Sequence, residues 1–368
     1  MQQGIITKYR HINLAITGRT EDYASPPPEG PQLFRAEPFR KRWVLKCTHI
    51  SPSWPIHFTL RIRMDSTVHY THCPVCGSAS IEPVVSVKDY TVSGKDFSIW
   101  ECNDCTLRFT QDAPGEHAIG AYYKSEDYIS HTNTSRGLVN KLYQLVRKNT
   151  LKQKRKLICK TTGREHGSLL DLGSGTGSFV MEMKDHGWQV TGLEPDADAR
   201  KVAKEHFNCE LEDSDKLFAL ARNSFDAITL WHVLEHVHDL TGYFGQLKVL
   251  LKGSGRLVIA VPNYTCVDAS EYKEYWAAYD VPRHLYHFSP RSMQIFMEKM
   301  GMKILKYKPM WFDSFYVSLL SSKYKHQRIK WVSALWTGFR SNLKALNDRE
   351  KCSSVIYIIS LKNPDSSQ

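Results

Sequence analysis

A glycine-rich turn is the first feature of this 368-residue sequence that suggests chemistry. An apolar run, Leu-Leu-Asp-Leu, leads into three glycines at alternate positions: Gly173, Gly175 and Gly177. Glycine lets the backbone turn sharply with positive φ and leaves room for a ligand to approach. Asp171 lies in this run, and about twenty residues on, Glu194 ends a second run, where a carboxylate can accept both hydroxyls of a ribose. The GxGxG spacing differs from the GxGxxG turn of dinucleotide-dependent dehydrogenases and disfavours that class.

Two Cys-x-x-Cys pairs form a second group of reactive side chains. Their members are Cys73, Cys76, Cys102 and Cys105. Each pair can wrap a short turn around one Zn²⁺, so that four thiolates complete a tetrahedron. Such a site has no open coordination position, so the predicted metal is structural. Two unrelated pairs of buried cysteines are the alternative, and the odd total of nine cysteines disfavours a disulfide framework.

A histidine-containing segment carries the third candidate group. It runs from Asp280 to Ser289 as Asp-Val-Pro-Arg-His-Leu-Tyr-His-Phe-Ser and follows the fifth predicted strand of the main domain. His284 is the candidate general base, because imidazole titrates near neutral pH and could remove a proton from a substrate hydroxyl. The alternative is that His284 and His287 cap the helix predicted to start at Ser289, or pack the segment.

The elements that must position these groups alternate between strands and helices. Apolar runs and periodicity predict the following ranges: strands at 169–172, 189–193, 226–230, 255–261, 303–306 and 354–361, and helices at 177–187, 196–206 and 240–251. Repeated β-α-β units imply a doubly wound, mostly parallel sheet with helices on both faces. The predicted fold class is therefore α/β, Rossmann-like, with a small zinc-ribbon-like module in front of it.

Residues from about 165 to 310, and again the last strand, resemble the class I S-adenosylmethionine (SAM)-dependent methyltransferases. The glycine turn and the two acids at the strand ends carry this resemblance. It implies that the three glycines pack against the methionine and ribose parts of SAM. It further implies that Asp171 contacts the methionine amino group, Glu194 the ribose and Asp213 the adenine. An ordinary exposed acid is the alternative for Asp213.

The fourth predicted strand continues into Trp231-His-Val-Leu-Glu-His236, which resembles the corresponding segment of ubiquinone-type O-methyltransferases and their sugar- and lipid-modifying relatives. The carboxyl end of this strand faces the ligand crevice of a doubly wound sheet, so Trp231 should contact the cofactor and His232 is a second catalytic candidate. Glu235 and His236 could be polar residues at the start of a helix that form a packing hydrogen bond. Alternatively, they could bind a ligand or metal. Some relatives carry an acid in place of His232 and are linked to a divalent ion, so the histidine disfavours that metal.

The segment Asp280–Ser289 resembles a methyltransferase subfamily associated with cell-surface polysaccharides and small metabolites. Similar cysteine modules precede the catalytic domain in some sugar C-methyltransferases and in some rRNA methyltransferases. We expect four further side chains to close the site from the other side: Tyr122, Tyr123, Tyr128 and His131.

Composition and charge bound the domain organisation. The chain has 42% hydrophobic and 24% charged residues, typical of a soluble globular protein. It has no apolar run near the ~20 residues needed to cross a bilayer and no signal pattern at its N-terminus, so we expect a cytoplasmic protein. Residues 1–63 contribute +6 of the net charge of +11 and contain Ser-Pro-Pro-Pro; we expect a disordered or non-native extension. The remaining predicted units are a zinc module with its own separate core at 70–110, a helical linker at 111–164, and a methyltransferase domain at 165–363 with a substrate lid at 264–290.

The first predicted function is SAM-dependent methyl transfer to a small-molecule, sugar, polysaccharide or lipid-linked acceptor, with SAM and structural zinc as cofactors. An RNA methyltransferase is the second possibility, suggested by the cysteine module and by ten cations without an acid between Arg136 and Arg164. An amphipathic helix with a solvated basic face is the alternative explanation of that basic run. The third possibility is a non-catalytic interaction protein that binds zinc and SAM, against which the intact glycine turn argues. The oligomeric state and the attacked atom of the acceptor stay open.

Overall fold

The structure, a computed structural model, describes residues 67–123 and 138–362, and for residues 138–148 it describes the backbone alone. The extension predicted at 1–63 lies outside the described residues, as do Tyr128 and His131. No described helix is both long enough and apolar enough to span a membrane.

Short strands build the cysteine module at the start of the described chain. They are β1 Thr67–Val68, β2 Ile81–Lys88, β3 Asp96–Cys102, β4 Arg108–Thr110 and β5 Ala113–Pro114. Strands β2, β3 and β4 form an antiparallel sheet, and β1 pairs with β5. The register pairs Ile81 with Cys102, so the turn that precedes β2 lies beside the turn that follows β3. Those two turns carry the two cysteine pairs.

A six-stranded sheet forms the centre of the main domain. The later strands are β6 Ser168–Leu172, β7 Gln189–Leu193, β8 Phe225–Trp231, β9 Leu251–Pro262, β10 Tyr286–His287, β11 Met302–Pro309 and β12 Ser354–Leu361. The sheet order is β11-β12-β9-β8-β6-β7, and β12 alone in this sheet runs against its neighbours. Strands β6 and β8 are buried along almost their whole length, as expected for parallel strands covered on both faces. The predicted doubly wound α/β fold is therefore confirmed.

Eight α-helices accompany the sheets among the described residues. They are α1 Leu138–Thr162, α2 Ser178–Lys184, α3 Ala197–Phe207, α4 Leu240–Leu250, α5 Val267–Tyr272, α6 Pro290–Lys299, α7 Asp313–His326 and α8 Trp331–Asn347. Asp196 and Asp239 cap α3 and α4 by accepting hydrogen bonds from backbone N–H groups, which fixes where those helices begin. The hairpin of α7 and α8, inserted before β12, is absent from the elements predicted from the sequence.

The cysteine module and the main domain share one hydrophobic core. Buried Leu107 and Phe109 of the module belong to the same cluster as Leu172 of β6 and Phe288 beside β10. Strand β4 also pairs with β10, so the module's sheet takes its fourth strand from the 264–290 insertion. The expectation of a separate core for the module is therefore wrong. The sequence shows two compact motifs, and the pairing between them joins residues almost 180 positions apart.

Candidate functional site

The glycine turn lies at the carboxyl edge of the main sheet, immediately after β6. Gly173, Gly175 and Gly177 all have positive φ, as their type predicts. A Cβ on Gly173 would lie 2.4 Å from Val233, so side-chain packing requires this glycine. A Cβ on Gly175 would meet nothing within 4 Å, so this part of the turn is open to a ligand.

Asp171 points under the turn from inside β6. Its carboxylate accepts a hydrogen bond of 2.6 Å from the Thr229 hydroxyl on the neighbouring strand. Burial raises the pKa of Asp171 to about 6, although that bond and the nearby Lys154 ammonium favour the charged form. Asp171 is thus a buried acid with a pKa not far below neutral pH. A cation on a bound ligand would stabilise its ionised form, the carboxylate.

Glu194 joins the end of β7 to the glycine turn. One carboxylate oxygen accepts the Gly175 N–H at 2.7 Å, and the other accepts the Asp196 N–H at 3.0 Å. Burial raises the pKa of this carboxyl. Because a carboxylate offers about four acceptor positions, two remain for hydroxyl groups of a ligand.

Asp213 lies near Glu194, because Glu212 forms a parallel bridge with Leu193 at the end of β7. One Asp213 oxygen caps a short 3-10 turn through the Asp215 N–H, and the other forms a 2.9 Å ion pair with Arg200. Arg200 also donates to the backbone carbonyl of Glu194. These contacts hold Asp213 on the outer side of the site. We call the following residues together the glycine-loop site: Asp171, Gly173, Gly175, Gly177, Glu194, Asp213 and Trp231.

A lysine that was not predicted from the sequence contacts this site. Lys154 of α1 places its ammonium 4.2 Å from the centre of the Trp231 ring, a cation–π contact. Burial lowers its pKa to about 8, while the charges of Asp171 and Asp313 oppose that shift. The sequence signal is the basic run at 136–164, which predicts either a solvated basic helix face or a phosphate-contacting surface. Arg155 also turns inward and pairs with Glu182 at 2.8 Å, so this face is only partly solvated.

His232 follows Trp231 at the end of β8 and has a left-handed backbone, with φ of 58°. Its Nδ1 lies 3.3 Å from Glu235 and its Nε2 lies 3.1 Å from Asp313. Burial opposes the charge on this ring, but the hydrogen bonds to the two acids outweigh it and raise the pKa of His232 to about 10. An imidazolium held between two carboxylates has no lone pair near neutral pH, so this geometry disfavours His232 as a base.

His232 also lines a cavity of about 1070 Å³. This cavity lies between three segments of the chain: the turn after β2, the insertion that precedes β10, and α7. Four tyrosines and three lysines characterise its wall, and we call it the tyrosine cavity: Tyr90, Tyr275, Tyr316, Tyr324, Lys88, Lys323 and Lys325. A space of this size is sufficient for a small organic molecule or a saccharide unit.

His284 lines the tyrosine cavity and is almost fully buried. Its Nδ1 donates to the carbonyl oxygen of Ala278 at 2.9 Å, because a carbonyl can only accept. In the neutral ring Nε2 therefore carries the lone pair, and the nearest carboxylate oxygen, on Asp280, is 3.9 Å away. The helix that starts at Ser289 is capped by the hydroxyl of Ser289 itself, through a capping box with Ser292, so His284 is not needed as its cap.

His236 and His287 flank His284 in a buried cluster. The His236 ring contacts the His284 ring edge to face at 4.7 Å, and its Nδ1 lies 3.0 Å from both the Tyr123 hydroxyl and the Arg283 carbonyl. Burial lowers the pKa of His236 to about 4, and burial also lowers the pKa of His287 well below its usual value. Both rings are therefore neutral, and the contacts of His236 agree with the packing role. Of the tyrosines expected to close the site, Tyr123 contacts the His236 ring and Tyr122 packs on Phe97.

Arg283 connects the insertion to the cysteine module. Its fully buried guanidinium pairs with Asp280 at 2.6 Å and with Asp89, at the end of β2, at 3.1 Å. Asp89 in turn accepts the backbone N–H groups of the turn that carries Tyr90 and Thr91 into the cavity wall. The module therefore builds part of the tyrosine cavity.

The four cysteines come together in one cluster whose sulfur atoms all lie within 4.8 Å of one another. Cys73 and Cys105 are 3.4 Å apart, and Cys76 and Cys102 are 3.5 Å apart. Sulfur atoms at about 2.3 Å from a tetrahedral Zn²⁺ lie about 3.8 Å apart, so the cluster fits that ion closely. A hydrogen bond from Cys105 lowers the pKa of Cys73 to about 5 and raises that of Cys105 itself. The four sulfur atoms therefore lie close enough together to bind one cation.

Known proteins resemble part of the chain. A family model described as a methyltransferase domain matches residues 143–307. An uncharacterized methyltransferase of Alkaliphilus oremlandii is 30% identical over 116 residues, covering 30% of this chain and 51% of the relative. A ubiquinone biosynthesis O-methyltransferase of Xanthomonas axonopodis pv. citri is 33% identical over 104 residues, covering 26% of this chain and 44% of the relative. The chain thus spans about half the length of the curated relatives it matches.

Solved structures also align with the chain. A SAM-dependent methyltransferase from Archaeoglobus fulgidus aligns with a TM-score of 0.39 and 20% identity, over 58% of this chain and 93% of the other. Phosphoethanolamine N-methyltransferase 2 of Haemonchus contortus, in complex with SAM, aligns with a TM-score of 0.40 and 18% identity, over 57% of this chain and 53% of the other.

The matched residues 143–307 contain the glycine turn, both strand-end acids and the parallel strands β6 to β9. The sequence relatives that cover part of the chain are methyltransferases by name. Residues 143–307 of this chain therefore match a methyltransferase domain.

Proposed function

We propose that this protein transfers a methyl group from SAM, held at the glycine-loop site, to an acceptor in the tyrosine cavity. The observation that carries the proposal is the position of His232, which lines the 1070 Å³ cavity and directly follows Trp231 of the glycine-loop site in the chain. A methyl group passes directly from donor to acceptor, so the two must meet in line and away from water. No covalent intermediate on the enzyme is needed.

The charges at the glycine-loop site suit the amino-acid end of SAM, which carries both an ammonium and a carboxylate. Asp171 offers a buried carboxylate for the ammonium, and Lys154, whose charge is close enough to interact with Asp171, offers a cation for the carboxylate. Glu194 keeps two acceptor positions for the ribose hydroxyls. Asp213, on the outer side, would accept from the adenine, and Trp231 would pack against the donor.

On the acceptor side we assign His284 as the general base. Its Nε2 lone pair, fixed by the Nδ1 bond to Ala278, can take the proton of an acceptor hydroxyl as the methyl group is transferred. His232 would remain an imidazolium whose charge is balanced by Glu235 and Asp313, and its role would be to fix the wall between donor and acceptor.

The wall of the tyrosine cavity favours a polar acceptor with an anionic group. Tyrosine rings offer flat apolar faces with hydroxyl groups, and three lysines can pair with phosphate or carboxylate. A phosphorylated sugar, a lipid-linked saccharide or an acidic small metabolite fits this description. The cavity is bounded on three sides by chain, which disfavours an RNA duplex as the acceptor.

We also propose that the four-cysteine cluster holds one structural zinc ion. Its four donors complete the coordination, so the ion would stabilise the turns around it. Through β4 and Asp89 it would then stabilise one wall of the tyrosine cavity.

Purified full-length protein, incubated with methyl-labelled SAM and fractionated cell extract, tests the proposal. We expect label in the carbohydrate, lipid-linked or small-molecule fraction, and none with protein that carries Asp171→Asn. Label in RNA would support the RNA methyltransferase instead. Binding of SAM without any labelled product would support the non-catalytic interaction protein.

A further inference from the structure

Helix α8 has an unusual distribution of side chains. Its large apolar residues face solvent, with Val332 86% exposed and Leu346 65% exposed. At about 100° per residue, they fall within an arc of about 140°. The exposed set is Trp331, Val332, Leu335, Trp336, Phe339, Leu343 and Leu346.

The opposite side of α8 is buried through small residues. They are Ala334, Thr337, Gly338, Ser341 and Ala345. A Cβ on Gly338 would lie within 3.0 Å of α7 backbone atoms, so the two helices are in close contact. The packing of α8 on the protein therefore accounts for its small residues and leaves its large apolar face without a partner among the described residues.

Within the two helices and the turn that joins them, the charged residues after Asp313 are all cations. Between Ser314 and Asn347 the chain has six cations and no acid: Lys323, Lys325, Arg328, Lys330, Arg340 and Lys344. Of the six, Arg340 pairs with Glu271 at 3.7 Å, across to the insertion. Lys330 and Lys344 are exposed at the two ends of α8.

Further exposed aromatic residues extend the apolar face. The side chain of Asn342 on α8 donates to the backbone carbonyl of Trp311, which places Trp311 and Phe312 beside this helix. Both rings are exposed, as is Tyr316 on α7, which also lines the tyrosine cavity. The apolar face thus lies on the same helical hairpin that forms one wall of the cavity.

We propose that the α7–α8 hairpin binds the surface of an anionic lipid bilayer, with the large apolar residues of α8 inserted at the level of the headgroups. A helix with aromatic and aliphatic residues on one face and lysine and arginine around it binds such an interface. Each lysine or arginine near an anionic surface adds to the attraction. Two copies of this chain would bring six like charges against six, which disfavours a dimer through the same face.

Sedimentation of the full-length protein with lipid vesicles tests this inference without any need for SAM or methyl transfer. We expect binding to vesicles of phosphatidylcholine with 30% phosphatidylglycerol, a composition of roughly one anionic lipid in three, and at least about tenfold weaker binding to phosphatidylcholine alone. The triple variant Trp331→Ser, Trp336→Ser, Leu346→Ser should bind at least about tenfold more weakly than the wild type. The charge variant Lys330→Glu, Lys344→Glu should lose most of the preference for anionic vesicles.

Phe218→Ser is the matched control, because Phe218 is 65% exposed but lies outside the hairpin. We expect its vesicle binding to equal that of the wild type. In the wild-type chain, quenching of tryptophan fluorescence by lipids labelled near the headgroup gives a second measurement that needs no substitution.

Three results would overturn the inference. The first is unchanged vesicle binding by the triple variant, which would assign any binding to another part of the chain. The second is the absence of quenching in the wild type. The third is a dimer in sedimentation velocity that the triple variant converts to a monomer, which would make this face an interface between two copies.

Discussion

The glycine-loop site and the tyrosine cavity are neighbours in the chain at Trp231 and His232, yet they are assembled in different ways. The glycine-loop site takes its predicted residues from the ends of neighbouring strands between Asp171 and Trp231. The tyrosine cavity combines the turn after β2, the insertion before β10 and helix α7, which are separated by more than 200 residues. The first site depends on local backbone rules, and the second depends on tertiary packing.

This difference has a functional consequence. A carboxylate at a strand end and a glycine with positive φ suit one cofactor, whatever the acceptor. Most of the cavity wall is built from elements outside the β-α-β pattern, and such elements can vary without disturbing the sheet. We infer that the main sheet determines the donor, and that the cysteine module, the insertion and the α7–α8 hairpin together determine the acceptor.

The largest expected effect comes from removing the proposed zinc ion. Structural zinc contributes about 10–16 kcal/mol in small metal-binding peptides. Because the module shares its core with the main domain, chelation or Cys76→Ser should lower the Tm of one common unfolding transition by at least about 10 °C. Elemental analysis should find one zinc per chain in the wild type and none in the variant.

Asp104→Ser is the control for this experiment, since Asp104 is exposed in the same turn and lies between two of the cysteines. It should keep the metal and the Tm. If the variant Cys76→Ser instead lost a small separate transition while the main one stayed in place, the shared core would not be a cooperative unit. A metal-free wild type of full stability would contradict the zinc site itself.

The next effect concerns His284 and separates the two halves of the site. Replacing it by Ala should lower kcat by about 10²–10⁴ and leave SAM affinity almost unchanged, because the glycine-loop site contains no part of it. Added imidazole should restore part of the rate, which a packing role would not allow. Tyr275→Phe, in the same cavity wall, should change KM more than kcat.

A variant His284→Ala that unfolds or loses SAM would instead support the alternative in which this ring packs the insertion. The acceptor atom matters for the size of the effect. If label from SAM appears on nitrogen or carbon, the assignment of a hydroxyl proton to His284 is wrong, and a loss smaller than tenfold would agree with that outcome.

The sequence predicts the sheet well and the cavity poorly, for a physical reason. Strand β12 has the bounds that its apolar run predicts, because a strand buried on both faces needs continuous apolar residues. Strand β7, a partly buried edge strand, also has its predicted bounds. Helix α2 is shorter than predicted at both ends, since Gly177 stays in a left-handed conformation before it and the helix ends before Asp185, ahead of Gly187 with a φ of 85°. The α7–α8 hairpin was not predicted because its solvent face is apolar, so its sequence lacks the polar stripe of an ordinary surface helix.

Among the site residues, the same contrast holds. His284 was selected by its chemistry, and its position in the cavity wall agrees with that choice. Lys154 was overlooked, because one inward lysine in a basic helix has the same sequence signature as its exposed neighbours. The pKa of His232 also could not be predicted, since Asp313, the partner that helps to keep it charged, lies 81 residues away.

The smallest expected effect is a change in SAM affinity with pH, caused by the glycine-loop site and not by the tyrosine cavity. Burial raises the pKa of Asp171 to about 6, so below that pH the free protein carries a neutral acid there. Only the ionised form can pair with the ammonium of SAM, so affinity should be constant near pH 7.5 and fall as the pH drops through 6, by about tenfold at pH 5. Isothermal calorimetry measures this affinity, and circular dichroism verifies that the protein stays folded.

The variant Asp171→Asn should bind SAM weakly and show no loss of affinity at acidic pH, because the amide does not titrate. Asp213→Asn is the control, since its exposed carboxylate lies on the outer side of the site, and it should keep the fall. If the wild type binds SAM equally at pH 5 and pH 7.5, Asp171 does not hold the ammonium, and the contrast between the two halves of the site would lose its electrostatic basis.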